Sequence, residues 1–164
     1  MDIEIVQKTL TKQFEDILRE QLTNTYYKLP NQELYYRYTS TDPADPKEET
    51  LPKDLADQNV FYVSLMIQGT NTVHEHFNTR PTMRRNGLIV IGHHSPDYMG
   101  IGKIREVQKV FLDNFENTRH GQNFIILTGT SIELGREDNN PTFQVNLSID
   151  FYYEERRAFR RLSP

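Results

Sequence analysis

The most regular alternation of apolar and polar residues lies near the end of the chain, from Thr142 to Tyr153. A period of two is that of a β-strand, because successive side chains of a strand point to opposite faces of the sheet. The pattern therefore predicts a long strand with one buried face and one face toward water or a partner. The buried row is Phe143, Val145, Leu147, Ile149, Phe151 and Tyr153, and the outward row is Thr142, Gln144, Asn146, Ser148, Asp150 and Tyr152.

Four more segments are typical of strands. Residues 34–39 predict a short one, and residues 60–68 alternate in the same way as the last strand. Residues 88–91 are wholly apolar between two glycines, which favours a strand covered on both faces. Residues 123–134 precede the last strand across a loop with glycine, asparagine and proline, which predicts a hairpin. One face of that strand is predicted to hold Phe124, Ile126, Thr128, Thr130, Ile132 and Leu134.

Two segments predict amphipathic helices. Apolar residues recur at steps of three and four over residues 3–22 and again over residues 103–118. Each helix therefore has one apolar stripe and buries one face. The element order predicts an α+β fold, with an antiparallel or mixed β-sheet of about four to five strands on which the N-terminal helix and the second helix pack.

A length of 164 residues suits a single domain, which we place at residues 1–155. Residues 40–58 contain three prolines among mostly charged or small residues, so they predict a long loop or extended arm. Residues 156–164 form a basic tail. Its arginines surround Phe159, and they suit an arm that reaches an acidic neighbour or a phosphate backbone as well as a solvated terminus. These arginines are Arg156, Arg157, Arg160 and Arg161.

Composition excludes several classes of function. The chain has no cysteine, which removes thiol nucleophiles, Fe–S clusters and cysteine-type zinc sites. Its formal net charge of −4 differs from the positive charge that is typical of nucleic-acid-binding proteins. The tail arginines and the tyrosines support only a weaker hypothesis, a nucleic-acid-binding accessory protein. The N-terminus lacks the pattern of a cleaved signal peptide, and no segment is apolar over the length of a membrane span.

No catalytic pattern is complete. The segment Gly100-Ile101-Gly102-Lys103 resembles half of a phosphate-binding loop, but no serine or threonine follows the lysine as that motif requires. Four carboxylates lie in the proline-bearing loop, which provides no fixed separation for an acid–base pair; they are Asp42, Asp45, Glu48 and Glu49. We therefore expect a protein that is not an enzyme and needs no cofactor.

Histidines provide the alternative function, a small metal-binding or metal-dependent module. His74 and His76 would point to the same face of a strand, which is compatible with a shared metal ion. Asp97 or His120 could supply a third ligand. The order H-E-H differs from the helical H-E-x-x-H motif, so the competing interpretation places the histidines in surface loops. That interpretation extends to the adjacent pair His93 and His94.

The layout as a whole resembles the tail terminator, or tail-completion, proteins of long-tailed bacteriophages and related minor tail proteins. The likeness covers most of the chain and is one of pattern rather than of a catalytic signature. It begins with the N-terminal helix and the polar, proline-bearing stretch before the first long strand. It continues through Arg85-Asn86-Gly87-Leu88-Ile89-Val90-Ile91, the turn with Ser95-Pro96-Asp97 and Gly100-Ile101-Gly102, the helix with Phe111 and Phe115, and the closing Phe151-Tyr152-Tyr153-Glu154.

The resemblance implies a structural virion protein, assembled in the host cytoplasm and not bound to a membrane. Such proteins form a ring, usually hexameric, that ends growth of the tail tube and joins the tail to the head. Implied partners are further copies of the chain, the tail tube protein and the head–tail connector or neck protein, with DNA passing through the lumen without sequence-specific binding. In a ring, one surface of each subunit meets a different surface of the next. The candidate interface residues are Gln144, Asn146, Ser148, Phe159 and Arg160.

Overall fold

The computed structural model describes residues 3–39, 42–50, 60–74, 82–96, 101–136 and 142–156. Two helices, α1 (Ile3–Gln21) and α2 (Gly102–Phe115), lie within these residues. The strands are β1 (Tyr26–Lys28), β2 (Tyr35–Thr39), β3 (Asp42–Thr50), β4 (Tyr62–His74), β5 (Thr82–Pro96), β6 (Thr118–Arg119), β7 (Phe124–Arg136) and β8 (Thr142–Arg156). Among the described residues, neither helix is long and apolar enough to cross a membrane.

The strands form one mixed sheet in the order β3-β2-β1-β4-β5-β8-β7-β6. β1 and β4 run parallel, and the other neighbours run antiparallel. The predicted α+β class is confirmed, but the expected four to five strands are too few for this sheet of eight. β1 and β6 have only three and two residues, which is too short for an alternating pattern to show. β3 has a charged, proline-bearing sequence that does not alternate.

Both helices cover the same face of the sheet. Phe14 of α1 stacks on Phe111 of α2 with 5.3 Å between ring centroids, and the two rings join the helices above the core. The inward row of β8 is buried beneath them from Val145 to Tyr153, as its alternation predicts. Burial of these aromatic and aliphatic side chains supplies the main favourable term in folding.

The central hairpin of β4 and β5 is longer than its apolar segments predict. The two strands pair from Tyr62↔His94 to His74↔Met83. The polar residues at the far end of the hairpin continue the ladder through their backbone. The interpretation of His93 and His94 as surface-loop residues is wrong, because both lie within β5 and are buried.

A bulge in β7 changes which side chains share a face. The register with β8 shifts between Ile126 and Gly129, so one face does not continue along the strand as the sequence pattern predicts. Before the bulge Phe124 and Ile126 lie in the core. After it, Ser131 points toward the helices, where its hydroxyl group hydrogen-bonds the side chain of Gln108 at 3.0 Å. Thr130 and Ile132 then lie on the opposite face, beside Ser148 and Asn146.

The segment predicted as a loop, residues 40–58, contains β3, which pairs antiparallel with β2. The expectation of a loop is therefore wrong for Asp42–Thr50, whereas an extended arm agrees with it. Backbone hydrogen bonds make this pairing, so the segment needs no apolar row of its own. Residues 51–59 lie outside the described residues.

Candidate assembly surface

The face of the sheet opposite the helices, here called the outer face, is formed by alternate residues of four adjacent strands. Strand pairing places Ser64, Gly92, Asn146 and Ile132 in one row across β4, β5, β8 and β7. The next row is Met66, Val90, Ser148 and Thr130. No described helix or strand packs over these two rows, since α1 and α2 both lie on the other side of the sheet.

Three of the predicted interface residues, here called the polar row, come together on this face. Gln144, Asn146 and Ser148 follow one another along β8 and are each half-buried between β5 and β7. The amide of Gln144 donates a hydrogen bond to Asn146 Oδ1 at 3.2 Å. They lie in the middle of the sheet, so an interface that uses them involves the face and not only an edge. Phe159 and Arg160 lie outside the described residues.

Apolar side chains flank this polar row on both sides. Met66 is 52% exposed and Ile132 is 50% exposed, although both are large and apolar. Leu134 and Leu127 of β7 are exposed as well. Exposed apolar groups beside a polar row on one continuous sheet face are typical of surfaces that bind another protein. The sequence pattern found the polar row, but it assigned Ile132 to the core side.

An aromatic cluster closes one end of the outer face. His94 of β5 stacks on Tyr62 of β4, with 4.5 Å between ring centroids, and Tyr35 meets Tyr62 edge to face. Burial, with a smaller contribution from the charge of the nearby Lys28, lowers the pKa of His94 to about 4. His94 is therefore neutral at pH 7 and belongs to the packing of the face.

Gly92 lies between the aromatic cluster and the polar row, where the surrounding side chains leave no space for another. A Cβ at this position would lie 2.8 Å from Ser64 Oγ and 3.4 Å from Asn146 Oδ1, so a side chain has no room there. The hydroxyl group of Ser64 and the amide of Asn146 thereby come close to the backbone of β5.

β7 has an open edge beyond its bulge. β6 covers β7 only at Ile125 and Ile126. The carboxylate of Glu116 then accepts a hydrogen bond from the backbone N–H of Gly129 at 2.8 Å, and the N–H of Asn117 bonds the carbonyl of Leu127. From Thr130 to Leu134 no described strand pairs with the free side of β7, and the side chains there are exposed.

Replacing Glu116 with alanine should lower the free energy of unfolding by about 1 kcal/mol, because the N–H of Gly129 loses a charged acceptor and turns to water. The measurement is urea-induced unfolding followed by circular dichroism. Asp113→Ala is the matched control: this residue is exposed in the last turn of α2, just before Glu116, and its effect should stay within about 0.5 kcal/mol. Equal effects of the two substitutions would show that Glu116 does not cap the edge.

His93 is a core residue and not a ligand. Its ring lies between Phe61 and Phe111, and its Nδ1 is 3.0 Å from the carbonyl oxygen of Ile91, to which it donates. Nε2 is buried and has no hydrogen-bond partner in the described part of the chain. Burial lowers the pKa of this histidine to about 4. A buried neutral ring with no route to solvent suits packing better than proton transfer.

The residues of the metal alternative are not brought together where the structure describes them. His74 ends β4, and His120 lies on the helix side near β7, where its Nε2 is 2.7 Å from Gln13 Oε1. β5 and β8 separate the two strands concerned. Within the described ranges no group of three histidine, aspartate or glutamate side chains has metal-binding geometry. His76 and Asp97 lie outside those ranges, as does Gly100 of the glycine-bearing turn.

Comparison with known proteins gives a fold and no family. No family model and no curated protein matches the chain. Six chains of solved structures do match. One of them, whose name describes no activity, aligns over 98% of this chain and 99% of its own length, with a TM-score of 0.57 and 10% sequence identity. At that identity the likeness shows that the α+β fold also occurs elsewhere, and it carries no conclusion about function.

Proposed function

We propose that this protein is a structural subunit of a bacteriophage virion, of the tail terminator or tail-completion type. It assembles into a hexameric ring at the head-proximal end of the tail tube. The ring ends tube growth and contacts the head–tail connector or neck protein on its other side, and DNA passes through its lumen without being read. In this role the protein binds other proteins and has no substrate.

The observation that carries the proposal is the uncovered outer face of the sheet. A monomeric domain normally covers a sheet face that exposes large apolar side chains, or makes that face polar. Here Met66 and Ile132 stay half-exposed on either side of the row that contains Asn146 and Ser148. The resemblance in sequence layout to tail terminators supplies the kind of assembly, and the outer face supplies a surface for it.

The chemistry of the polar row supports contact rather than catalysis. Gln144, Asn146 and Ser148 carry amide and hydroxyl groups, which make directional hydrogen bonds with a smaller desolvation cost than charges. Protein interfaces combine such groups with apolar neighbours and are depleted of charge at their centre. The carboxylates of β8 in line with this row lie beyond Ser148: Asp150 is exposed and Glu154 is half-buried.

Placing three lysines on the polar row should abolish assembly. In the variant Gln144→Lys/Asn146→Lys/Ser148→Lys, long charged side chains would have to be buried between subunits, and charge burial without a partner costs several kcal/mol. Oligomer size is measured by analytical ultracentrifugation, and rings are sought by electron microscopy of the same samples. We expect rings or oligomers for the native protein and monomers for the variant.

The matched control is Glu106→Lys/Gln122→Lys, which raises the formal charge by the same amount at exposed positions away from the outer face. It should assemble as the native protein does. Rings that form unchanged in the triple variant would exclude the outer face as the interface. A native protein that stays monomeric at high concentration, both alone and with tail tube protein, would contradict the ring itself.

A further inference from the structure

The sheet has a second open edge, at β4. β1 pairs with β4 only from Tyr62 to Ser64. Beyond Lys28 the chain turns away through Pro30 and Asn31, whose φ of 66° is in the left-handed region. From Leu65 onward no described strand pairs with this side of β4. The backbone of β4 is therefore open to an added strand over the same stretch where its other side pairs with β5.

The polar face of α1 lies above this edge and forms a notch with it. The notch has a volume of about 860 Å³. β4 from Ser64 to Ile67 and the turn from Lys28 to Gln32 line it, and α1 contributes the other wall. Leu65 and Ile67 point toward the helix side and pack on the core, whereas Met66 points to the outer face. An extended segment laid along β4 would fill the space.

The notch has unpaired positive charge. Of its acidic residues Glu4, Glu15 and Asp16, the last two are already engaged. Glu15 accepts a hydrogen bond from Tyr38 Oη at 2.8 Å, and Asp16 forms an ion pair with Arg19. Lys8 and Lys12 also line the notch, are exposed, and form no ion pair with a described residue. A segment with a carboxylate on its helix side would complement them.

The open edge of β7 has matching properties. Glu133 pairs with Val145 and so points to the helix side of its own sheet, where it is exposed and forms no ion pair with a described residue. Ile132 points to the outer face. If this strand continued the sheet of another copy at β4, Glu133 would lie beneath α1 near Lys8, and Ile132 would lie on the same face as Met66.

We propose that the open edge of β7 in one subunit adds to the open edge of β4 in a second copy of this chain, within the notch beneath α1. Backbone hydrogen bonds would then continue the sheet from subunit to subunit. The two edges are different surfaces, so the contact is head to tail and generates a closed ring when the rotation between subunits permits it. This inference rests on the proposed ring and adds a backbone contact between two strand edges to the contact through the outer face.

Cysteine cross-linking tests the assignment directly, because the native chain has no cysteine. Met66→Cys and Ile132→Cys are prepared separately at these exposed positions. Each variant alone and an equimolar mixture are treated with a short bifunctional thiol reagent. We expect cross-linked dimers in the mixture and no cross-linked dimers in either variant alone. Val90→Cys, in the middle of the outer face, is the control and should not cross-link to Ile132→Cys.

Each other outcome contradicts the proposal in a different way. Cross-linking of Ile132→Cys alone would show that two β7 edges meet each other. Equal cross-linking to Val90→Cys would show that β7 meets the outer face of the neighbouring subunit rather than the edge of β4. Rings seen by electron microscopy without cross-links in the mixture would overturn the strand assignment and leave the ring intact, whereas the absence of any oligomer would overturn both.

A charge exchange tests the placement of Glu133. Glu133→Lys should raise the dissociation constant of assembly roughly tenfold, because like charges facing each other across an interface repel. Lys8→Glu/Lys12→Glu should weaken assembly in the same way. Combining the two sets should restore it, as measured by ultracentrifugation. A combined variant as weak as its parents would place Glu133 away from α1 of the neighbour.

Discussion

Acidification from pH 7 to pH 4.5 is expected to lower the free energy of unfolding by about 5 kcal/mol through His93 and His94 alone. Burial holds the pKa of each ring at about 4 in the folded protein, against an ordinary value of 6.5. Below pH 6.5 the unfolded chain therefore binds protons that the folded chain does not. Each histidine costs about 1.4 kcal/mol per pH unit in this window, so its stabilising contribution is complete above pH 6.5 and is lost as the pH falls toward 4.

Urea-induced unfolding at a series of pH values gives the slope, and variants separate the histidines from the carboxylates. His93→Phe keeps an aromatic ring beside Phe61 and Phe111 and removes the proton linkage of that site. We expect its stability to fall by about 2.5 kcal/mol less than that of the native protein over the same range. His94→Phe, stacked on Tyr62, should behave alike. A native slope retained by both variants would show that neither ring is buried as a neutral group.

Replacing Gly87 with alanine is the second change with a large expected effect, a loss of about 3 kcal/mol in the free energy of unfolding. Gly87 of β5 faces the core opposite Phe151 of β8. A Cβ there would lie 2.6 Å from the carbonyl oxygen of Gln68 and would overlap the ring of Phe151. The carbonyl belongs to a paired backbone and cannot rotate away, so the strands themselves must shift.

Gly69→Ala is the control for this substitution, since Gly69 pairs directly with Gly87 across the β4–β5 hairpin. It is exposed, and nothing lies within 4 Å of a Cβ built there. Both variants carry the same change in intrinsic strand preference, so the difference between their urea midpoints isolates the steric term. We expect Gly69→Ala to change the stability by less than about 0.5 kcal/mol. Similar midpoints would mean that the sheet relaxes around Gly87.

β8 and β7 show how far a local pattern reaches. The alternation of β8 predicted its inward row correctly, because a strand without bulges keeps period two along its length. The same reasoning failed in β7, where the bulge after Ile126 moves Ile132 from the expected core side to the outer face. At the bulge, Leu112 of α2 packs against the backbone of Gly129. A Cβ on Gly129 would lie 2.6 Å from the side chain of Leu112. That contact is not visible in the sequence.

The histidines of β5 illustrate a second limit. His93 and His94 follow an apolar strand and precede a turn with proline, which favours a loop in a local pattern. In the fold, β4 and β8 pair with β5 on both sides as far as these residues, and the backbone pairing carries both rings into buried positions. Strand length is thus set by the neighbouring strands, and the resulting burial of the rings lowers their pKa values.

The sequence alone determined the parts of the protein that depend on local periodicity. These are the two helices with their single apolar stripes, the long strand β8 and the outward row of Gln144, Asn146 and Ser148. Tertiary structure decided what surrounds that row. The helices pack on one face of the sheet only, and the bulge in β7 places Ile132 on the other face. The turn after β1 leaves the edge of β4 without a paired strand beyond Ser64 in the described part of the chain. The spacing of apolar residues indicates which side of a helix or strand is buried. Which faces and edges of a sheet stay uncovered depends instead on how distant segments of the chain pair.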